Sequence, residues 1–450
     1  MADLKQAALN IFRETLAAID IPLSMRRKLG RAGSRIFVND APFDLAAFER
    51  ICAIAIGKAS VAMARGLAEL LSPAFHAQGI VVAPTAASGL PDGFRGIVAG
   101  HPVPDTGSFA AGRVILDLLA TTDQNTLVFF LLSGGGSALV ELPIEIPHGD
   151  SGNVRAPAIT LEEMQALNRV LVTCGASIGE INAVRKHLSA VKGGRLAVAA
   201  RSAMKITLGV TDVPEGQESA LASGPTLPDP TTVADACNVV RCYDLFSKLR
   251  PGIQTRFEHP ESIPETPKAG DPAFDPHRAV FQILLGRHDL FHAAHHASES
   301  AEFITVCDNT TDNWPVGKAV DYLLEQLAAL RKANAGKSVA VIADGEVSSP
   351  VTGEGVGGRN LAFVLDSVKK IAGKKIAVLS AGTDGVDGSS PAAGAIADGK
   401  TLTRAQALGL DPADFFRRSD SYTFFHLLGD AIETGPTGNN LRDLRIFLAE

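Results

Sequence analysis

Short hydrophobic runs and helically spaced apolar positions alternate along this chain. The runs at 51–56, 127–132 and 205–210 are mostly apolar, the pattern of strands buried on both faces of a parallel sheet. Around them, residues 4–20, 61–71 and 161–180 predict helices; Leu4, Ala8, Ile11, Phe12 and Ile19 share one face of the first. A further short strand is expected at 79–82. Later in the chain, strands expected at 303–306, 338–342, 375–379 and 444–448 are interleaved with helices at 316–333 and 361–371. The alternation predicts an α/β protein, doubly wound in its first half. Between 251 and 276 there are six prolines and no strong apolar period, which reads as an inter-domain connection. The expected division is an N-terminal domain over 1–250 and a C-terminal domain over 277–450, with 251–276 as linker.

Composition narrows the class. A chain of 450 residues exceeds one ordinary core, and 46% hydrophobic with 20% charged residues is ordinary for a globular enzyme. The net charge of −7 argues against nucleic acid or an anionic membrane surface as the main partner. Cys52, Cys174, Cys237, Cys242 and Cys307 are widely spaced and form no CxxC pair, so neither a zinc site nor a disulfide framework is expected. The first twenty residues carry charges throughout and no signal or spanning pattern. A cytoplasmic protein acting on a small molecule is the expectation, with self-association left open.

The candidate chemistry lies where strands end. After the run at 127–132 come Ser133, Gly134, Gly135, Gly136 and Ser137, either a cradle of amide groups for a phosphate or carboxylate or a flexible turn. Lys58 follows the 51–56 strand at a strand-to-helix turn, where it could neutralise an anion or be solvated. The loop Gly100–Asp105 contains two prolines that restrict the backbone beside His101 and Asp105. Arg185, Lys186, His187, Lys192 and Arg195 form a basic cluster, an anion-binding loop or a solvated helix face. Asp212 ends the 205–210 strand, where a carboxylate faces the ligand crevice of an α/β sheet. In the second half, Arg359 enters a helix after Gly357 and Gly358 and could clamp a phosphoryl group. Asp384 and Asp387 are hard oxygen donors suited to magnesium, or ordinary Asp-Gly turn residues. No Walker sequence occurs; Gly353–Gly358 matches GxGxxG by letter, but a long loop separates it from its strand.

Taken in order, IGKAS at 56–60, GHPVPD at 100–105, LLSGGGSAL at 131–139, INAVRKHLSAVKGGRLA at 181–197, ASGPTLPDPTT at 222–232, GGRN at 357–360, SAGTDGVDGSSPAAGA at 380–395 and TGPTGNNLRDLRIFL at 434–448 resemble the class II glycerate kinases. That family also includes proteins labelled tartrate-utilisation hydroxypyruvate reductase. The resemblance implies a Rossmann-like N-terminal domain and a C-terminal α/β domain with a mixed sheet, with the active site in the cleft between them. It implies transfer of the ATP γ-phosphoryl group to the 2-hydroxyl of D-glycerate with Mg²⁺, and puts the family's active-site lysine and arginine on Lys58 and Arg359. On this reading Ser133–Ser137 cradle phosphates, Arg185, Lys186, Lys192 and Arg195 hold the substrate carboxylate, and Asp212 or Asp384 helps hold Mg²⁺. The chain departs from the family pattern with TDVPEGQES at 211–219 and with Leu361 and Ala362 after GGRN. Two alternatives follow: an NAD(P)H-dependent hydroxypyruvate reductase, and a paralogue that binds a sugar acid without turning it over.

Overall fold

The computed structural model describes residues 3–145, 158–200, 202–211, 213 and 216–450. These form two compact units, Ile21–Leu284 and a second made of Met1–Asp20 with Leu285–Glu450. The expected boundaries at 250 and 277 therefore need correction at both ends. Helix Leu4–Ala18 buries Ala8, Ile11, Phe12 and Thr15, and packs on the sheet of the second unit. Periodicity revealed its apolar face without revealing what that face covers.

The expected linker is also part of a core. Pro251 sits at the first turn of helix Pro251–Glu258, where its missing N–H costs nothing, and Pro260 and Pro272 open 3-10 turns. Ile253, Phe257 and Ile263 are buried with Met164, Leu167, Leu171, Val239 and Val240. The expected helix at 161–180 is two helices, Leu161–Thr173 and Ile178–His187. Ser177 starts the second, its hydroxyl accepting the Glu180 N–H while Glu180 reaches back to the Ser177 amide.

The Ile21–Leu284 unit opens with a small antiparallel ribbon, β1 (Arg31–Ala32), β2 (Arg35–Val38) and β3 (Ala41–Asp44). Its main sheet comprises β4 (Arg50–Ile56), β5 (Gln78–Ala83), β6 (Phe94–Val98), β7 (Thr126–Ser133), β8 (Met204–Val210) and β9 (Ala279–Leu285). The order is β6-β5-β4-β7-β8-β9, parallel from β6 to β8. From β4 the chain winds one way to β5 and β6, and then crosses back to β7 and β8. The switch of direction falls between β4 and β7, where open α/β sheets form a crevice outside the strand ends. β7 is buried along its whole length, as its unbroken hydrophobicity predicts.

The second unit has a mixed sheet of β10 (Ile304–Cys307), β11 (Val339–Asp344), β12 (Ile376–Gly382), β13 (Gly394–Asp398), β14 (Ala431–Ile432) and β15 (Asp443–Ala449). Its order is β10-β11-β15-β12-β13-β14, with β15 antiparallel to both neighbours. The start of β15 therefore lies beside the ends of β11 and β12: Leu444 pairs with Asp344, and Asp443 with Gly382. Among the described residues no helix is long and apolar enough to cross a membrane.

If 251–276 is core and not tether, Ile253→Ala should lower unfolding stability by about 2–5 kcal/mol, the cost of a core truncation. Denaturant unfolding checks this; a change under about 0.5 kcal/mol, typical of an exposed connection, would restore the linker reading.

Candidate functional site

Two groups of residues, one in each unit, carry the candidate chemistry. The first gathers at the switch point. Gly57 follows β4 with φ of +122°, and a Cβ there would lie 2.2 Å from Ser133 Oγ and 2.6 Å from its carbonyl oxygen. Only glycine lets these two strand ends close to this distance. The Ser133 hydroxyl then ties them together, accepting the Ala59 N–H at 3.0 Å and donating to the Ile56 carbonyl at 3.3 Å. Lys58 donates its own amide to the Gly134 carbonyl at 2.9 Å.

Ser133 is therefore committed inside the fold, and the cradle proper is Gly134–Ser137. Gly135 is left-handed at φ +85° and opens the short helix Gly136–Leu139. Among the described residues the amides of Gly134, Gly135, Gly136 and Ser137 meet no acceptor, as an anion nest requires. The turn at 222–225 closes over one side: a Cβ on Gly136 would lie 2.6 Å from Ala222 Cβ. Ser137 Oγ meets Ser223 Oγ at 2.5 Å, and Ser223 donates to Asn182 Oδ1 at 3.0 Å. Asp105 is resolved as a helix cap, its carboxylate accepting the Ser108 N–H at 3.0 Å.

The basic cluster divides when its partners are seen. Lys186 is buried against Asp229 at 3.1 Å, and Lys192 against Glu141 at 2.5 Å and the Val140 carbonyl at 3.0 Å. Burial lowers the Lys192 pKa against the pull of Glu141. Losing either carboxylate would strand a buried charge, at roughly 3–5 kcal/mol. His187 is likewise internal, with Nδ1 2.7 Å from the Ala183 carbonyl. The four-residue carboxylate clamp expected from sequence thus narrows to its guanidinium groups. Arg195 donates to the Pro264 carbonyl at 3.1 Å, and burial lowers the pKa of both Arg185 and Arg195. Asp212 and the segment 146–157 lie outside the described residues.

The second group surrounds Arg359, the first residue of helix Arg359–Ile371. Its Nε and Nη2 donate to Asp443 at 2.6 and 3.2 Å, and Nη1 donates to Glu346 at 2.6 Å. Burial opposes its charge, but the two carboxylates outweigh burial and raise its pKa above the ordinary guanidinium value. Among the described residues three of its five N–H donors are used, which leaves two on a side chain held in place yet one-third exposed. The support extends inward. Asp312 accepts the Glu346 amide at 2.9 Å and pairs with Arg442 at 2.6 Å; buried Arg445 donates to the Gly345 carbonyl at 2.8 Å. Asp344 is fully buried with Arg442 at 3.7 Å and Arg287 at 3.9 Å, and burial raises its pKa.

Asp384 is half-buried after β12 and accepts the Val386 N–H at 3.1 Å. A Cβ on Gly382 would lie 3.1 Å from Asp384 Oδ1 and 3.5 Å from Asp443 Oδ1, so the two carboxylates share one sheet end. Asp387 has a different role from the metal ligand considered above. It is buried and caps the Arg359 helix, accepting the Asn360 and Leu361 amides at 3.1 and 2.8 Å. Leu361 and Ala362, where the chain departs from the family pattern, are buried. Among the described residues no three His, Cys, Asp or Glu groups converge as a metal cage. Sequence reading missed Asp443, Arg442 and Arg445; their signal was a strand opening with alternating charge.

Fold and site together define a two-unit α/β protein, with an unsatisfied amide nest at one strand crossing and a carboxylate-held arginine at another. Residues 7–258 match a domain of unknown function, DUF4147, and 339–443 match the MOFRL family. The D-glycerate 2-kinase of Thermotoga maritima is 34% identical, covering 99% of this chain and 98% of its own. A putative hydroxypyruvate reductase of Agrobacterium vitis is 35% identical over 89% of this chain and 99% of its own. The crystal structure of a Thermotoga maritima glycerate kinase superposes with a TM-score of 0.82 at 31% identity, covering 99% of each chain. The chain belongs to the glycerate kinase family built from these two domains.

Burial, joined by the Asp443 charge, outweighs the capping amides and pushes the Asp387 pKa up to about 7. Between the ordinary carboxylate value and 7 the native state holds a proton that the unfolded chain has lost. This group's stabilisation is therefore full at pH below 4 and disappears as pH rises through 7, on the order of 4 kcal/mol. Carboxyl ¹³C NMR should show a titration midpoint near 7, and wild type should lose stability relative to Asp387→Asn between pH 4 and 8. A midpoint near 4 would remove the account.

Proposed function

We propose that this chain is a glycerate 2-kinase, which moves the ATP γ-phosphoryl group to the 2-hydroxyl of D-glycerate or a close relative. Full-length similarity to the Thermotoga maritima D-glycerate 2-kinase carries the substrate assignment. Phosphoryl transfer has little covalent chemistry for a protein to perform; positioning and charge stabilisation dominate. The four amides of Gly134–Ser137 suit phosphate oxygens, since they donate hydrogen bonds without adding charge or bulk. Lys58 supplies a cation beside them. Arg359 supplies its two remaining donors for the equatorial oxygens as charge spreads over them. Arg185 and Arg195 are the proposed partners of the substrate carboxylate.

Mg²⁺ fits the donor set in a limited way. This ion keeps several waters and binds mainly to substrate phosphates with one or two carboxylates, so it needs no protein cage. Asp384 offers one such hard oxygen, and Asp212 is a candidate from sequence alone. When bound, the ion would neutralise phosphate oxygens; Asp384 would hold it at the end of β12.

The reductase name of the Agrobacterium vitis relative belongs to that protein. Here the GxGxxG letters at 353–358 open the Arg359 helix only after an eight-residue excursion from β11, 345–352, so a dinucleotide fingerprint is out of context.

Lys58→Ala and Arg359→Ala should each lower kcat/KM for ATP- and Mg²⁺-dependent glycerate phosphorylation by about 10³-fold or more, the range for a charge acting on a transferring phosphoryl group. A coupled ADP-release assay reads this out. Near-normal kcat/KM in both variants would refute the role assignment, and NADH oxidation by hydroxypyruvate without ATP would replace the kinase reading altogether.

A further inference from the structure

Among the described residues, one titratable side chain beside the nest takes part in no hydrogen bond or ion pair. His101 begins the GHPVPD loop, and the loop's other polar candidate, Asp105, is spent on a helix cap. The loop is tightly built: a Cβ on Gly100 would lie 2.3 Å from the Val103 carbonyl and 2.9 Å from the Asp105 amide. The imidazole is thereby held against the nest. A Cβ on Gly135 would lie 2.9 Å from His101 Cδ2, 3.1 Å from its Nε2 and 3.7 Å from Lys58 Cγ. His101 and Lys58 thus flank the same glycine. The residue is partly exposed, with its ring packed against Gly135, and among the described residues neither nitrogen has a hydrogen-bond partner.

We propose that His101 is a catalytic residue, the general base that accepts the proton of the acceptor hydroxyl as the phosphoryl group arrives. The inference rests on the kinase reading above. With phosphate oxygens on Gly134–Ser137, Nε2 would lie beside them, because it already lies against Gly135. A hydroxyl that attacks a phosphoryl group held there would have this imidazole as a neighbour, within the reach a general base requires. In the step, the O–H bond breaks and its proton moves to Nε2 while the hydroxyl oxygen bonds to the γ-phosphorus. The bond from phosphorus to the bridging oxygen breaks, and its electron pair leaves on ADP. The base must be unprotonated beforehand. Partial burial first, then the charge of Lys58, hold the His101 pKa below the ordinary imidazole value, so the ring is neutral at pH 7. Lys58 is the charged group that faces it. Its neighbour's cation thus serves twice, attracting phosphate and keeping the imidazole available.

The test uses full-length wild type, His101→Gln and His101→Ala, with glycerate, ATP and Mg²⁺ between pH 5 and 9. Glutamine cannot take up the proton, and at an exposed position without hydrogen bonds it should leave thermal stability and ATP binding unchanged. The expected result is a fall in kcat of roughly 10²-fold, within the usual range for a general base. An acidic limb in the wild-type kcat/KM profile should disappear in His101→Gln, and added imidazole should partly restore His101→Ala. Retention of kcat within threefold overturns the proposal, as does a larger fall that keeps the acidic limb. If wild type itself forms no ADP with any small 2-hydroxy acid, the kinase reading fails first and this inference with it.

Discussion

The ends of β4 and β7 approach closely at Gly57 and Ser133, and the candidate nest depends on that approach. Two parallel strands normally separate as they leave a sheet, because the side chains of the following residues need room. Here Gly57 has none, and the Ser133 hydroxyl occupies that space, bridging the Ala59 amide and the Ile56 carbonyl. The result is a crossing whose geometry is fixed by hydrogen bonds within the fold. Among the described residues the next four amides meet no backbone acceptor. Unmet amides cost free energy if buried, so a fold keeps them only at an edge where water or a ligand can reach.

In the second unit the equivalent constraint is electrostatic. Arg442, Arg445, Asp312, Asp344, Glu346, Arg359 and Asp443 lie along the ends of β11, β12 and β15, several of them with almost no exposure. A buried ion network of this kind seldom adds stability over an apolar core. Its benefit is geometric: it fixes a guanidinium by one bidentate and one single contact, and Asp387 fixes the start of the same helix. Preorganised charge of this sort needs no rearrangement when negative charge develops nearby, which is what phosphoryl transfer rewards.

How far the sequence reveals this depends on range. The strand-to-helix turns at Lys58 and at the glycine run were legible because a strand, glycines and a helix follow one another within a few residues; that the two strands are neighbours was not. The two-unit α/β architecture was legible for the same local reason. The assignment of Leu4–Ala18 to the far unit was not, because an amphipathic face does not name its partner. The basic cluster was misleading in part for the same cause. Lys186 and Lys192 look available until Asp229 and Glu141, 43 and 51 positions away, fold against them. Asp443 is 84 positions from Arg359, and no local motif joins them.

Lys192 and Arg359 show what distinguishes a cation that serves the fold from one left available to a ligand. Positive charge in sequence does not, since Lys192 and Arg359 both sit beside glycines in charged, loop-rich stretches. Nor does a carboxylate partner, since both have one. The difference lies in what remains after pairing. Lys192 is enclosed, with its pKa lowered by burial and its charge spent on Glu141. Arg359 is held by two carboxylates that raise its pKa, yet it keeps two donors and part of its surface in reach of solvent. A planar guanidinium can be gripped along one edge and offer another, which an ammonium group cannot do. That geometry, more than charge, explains why an arginine stands at the head of this helix.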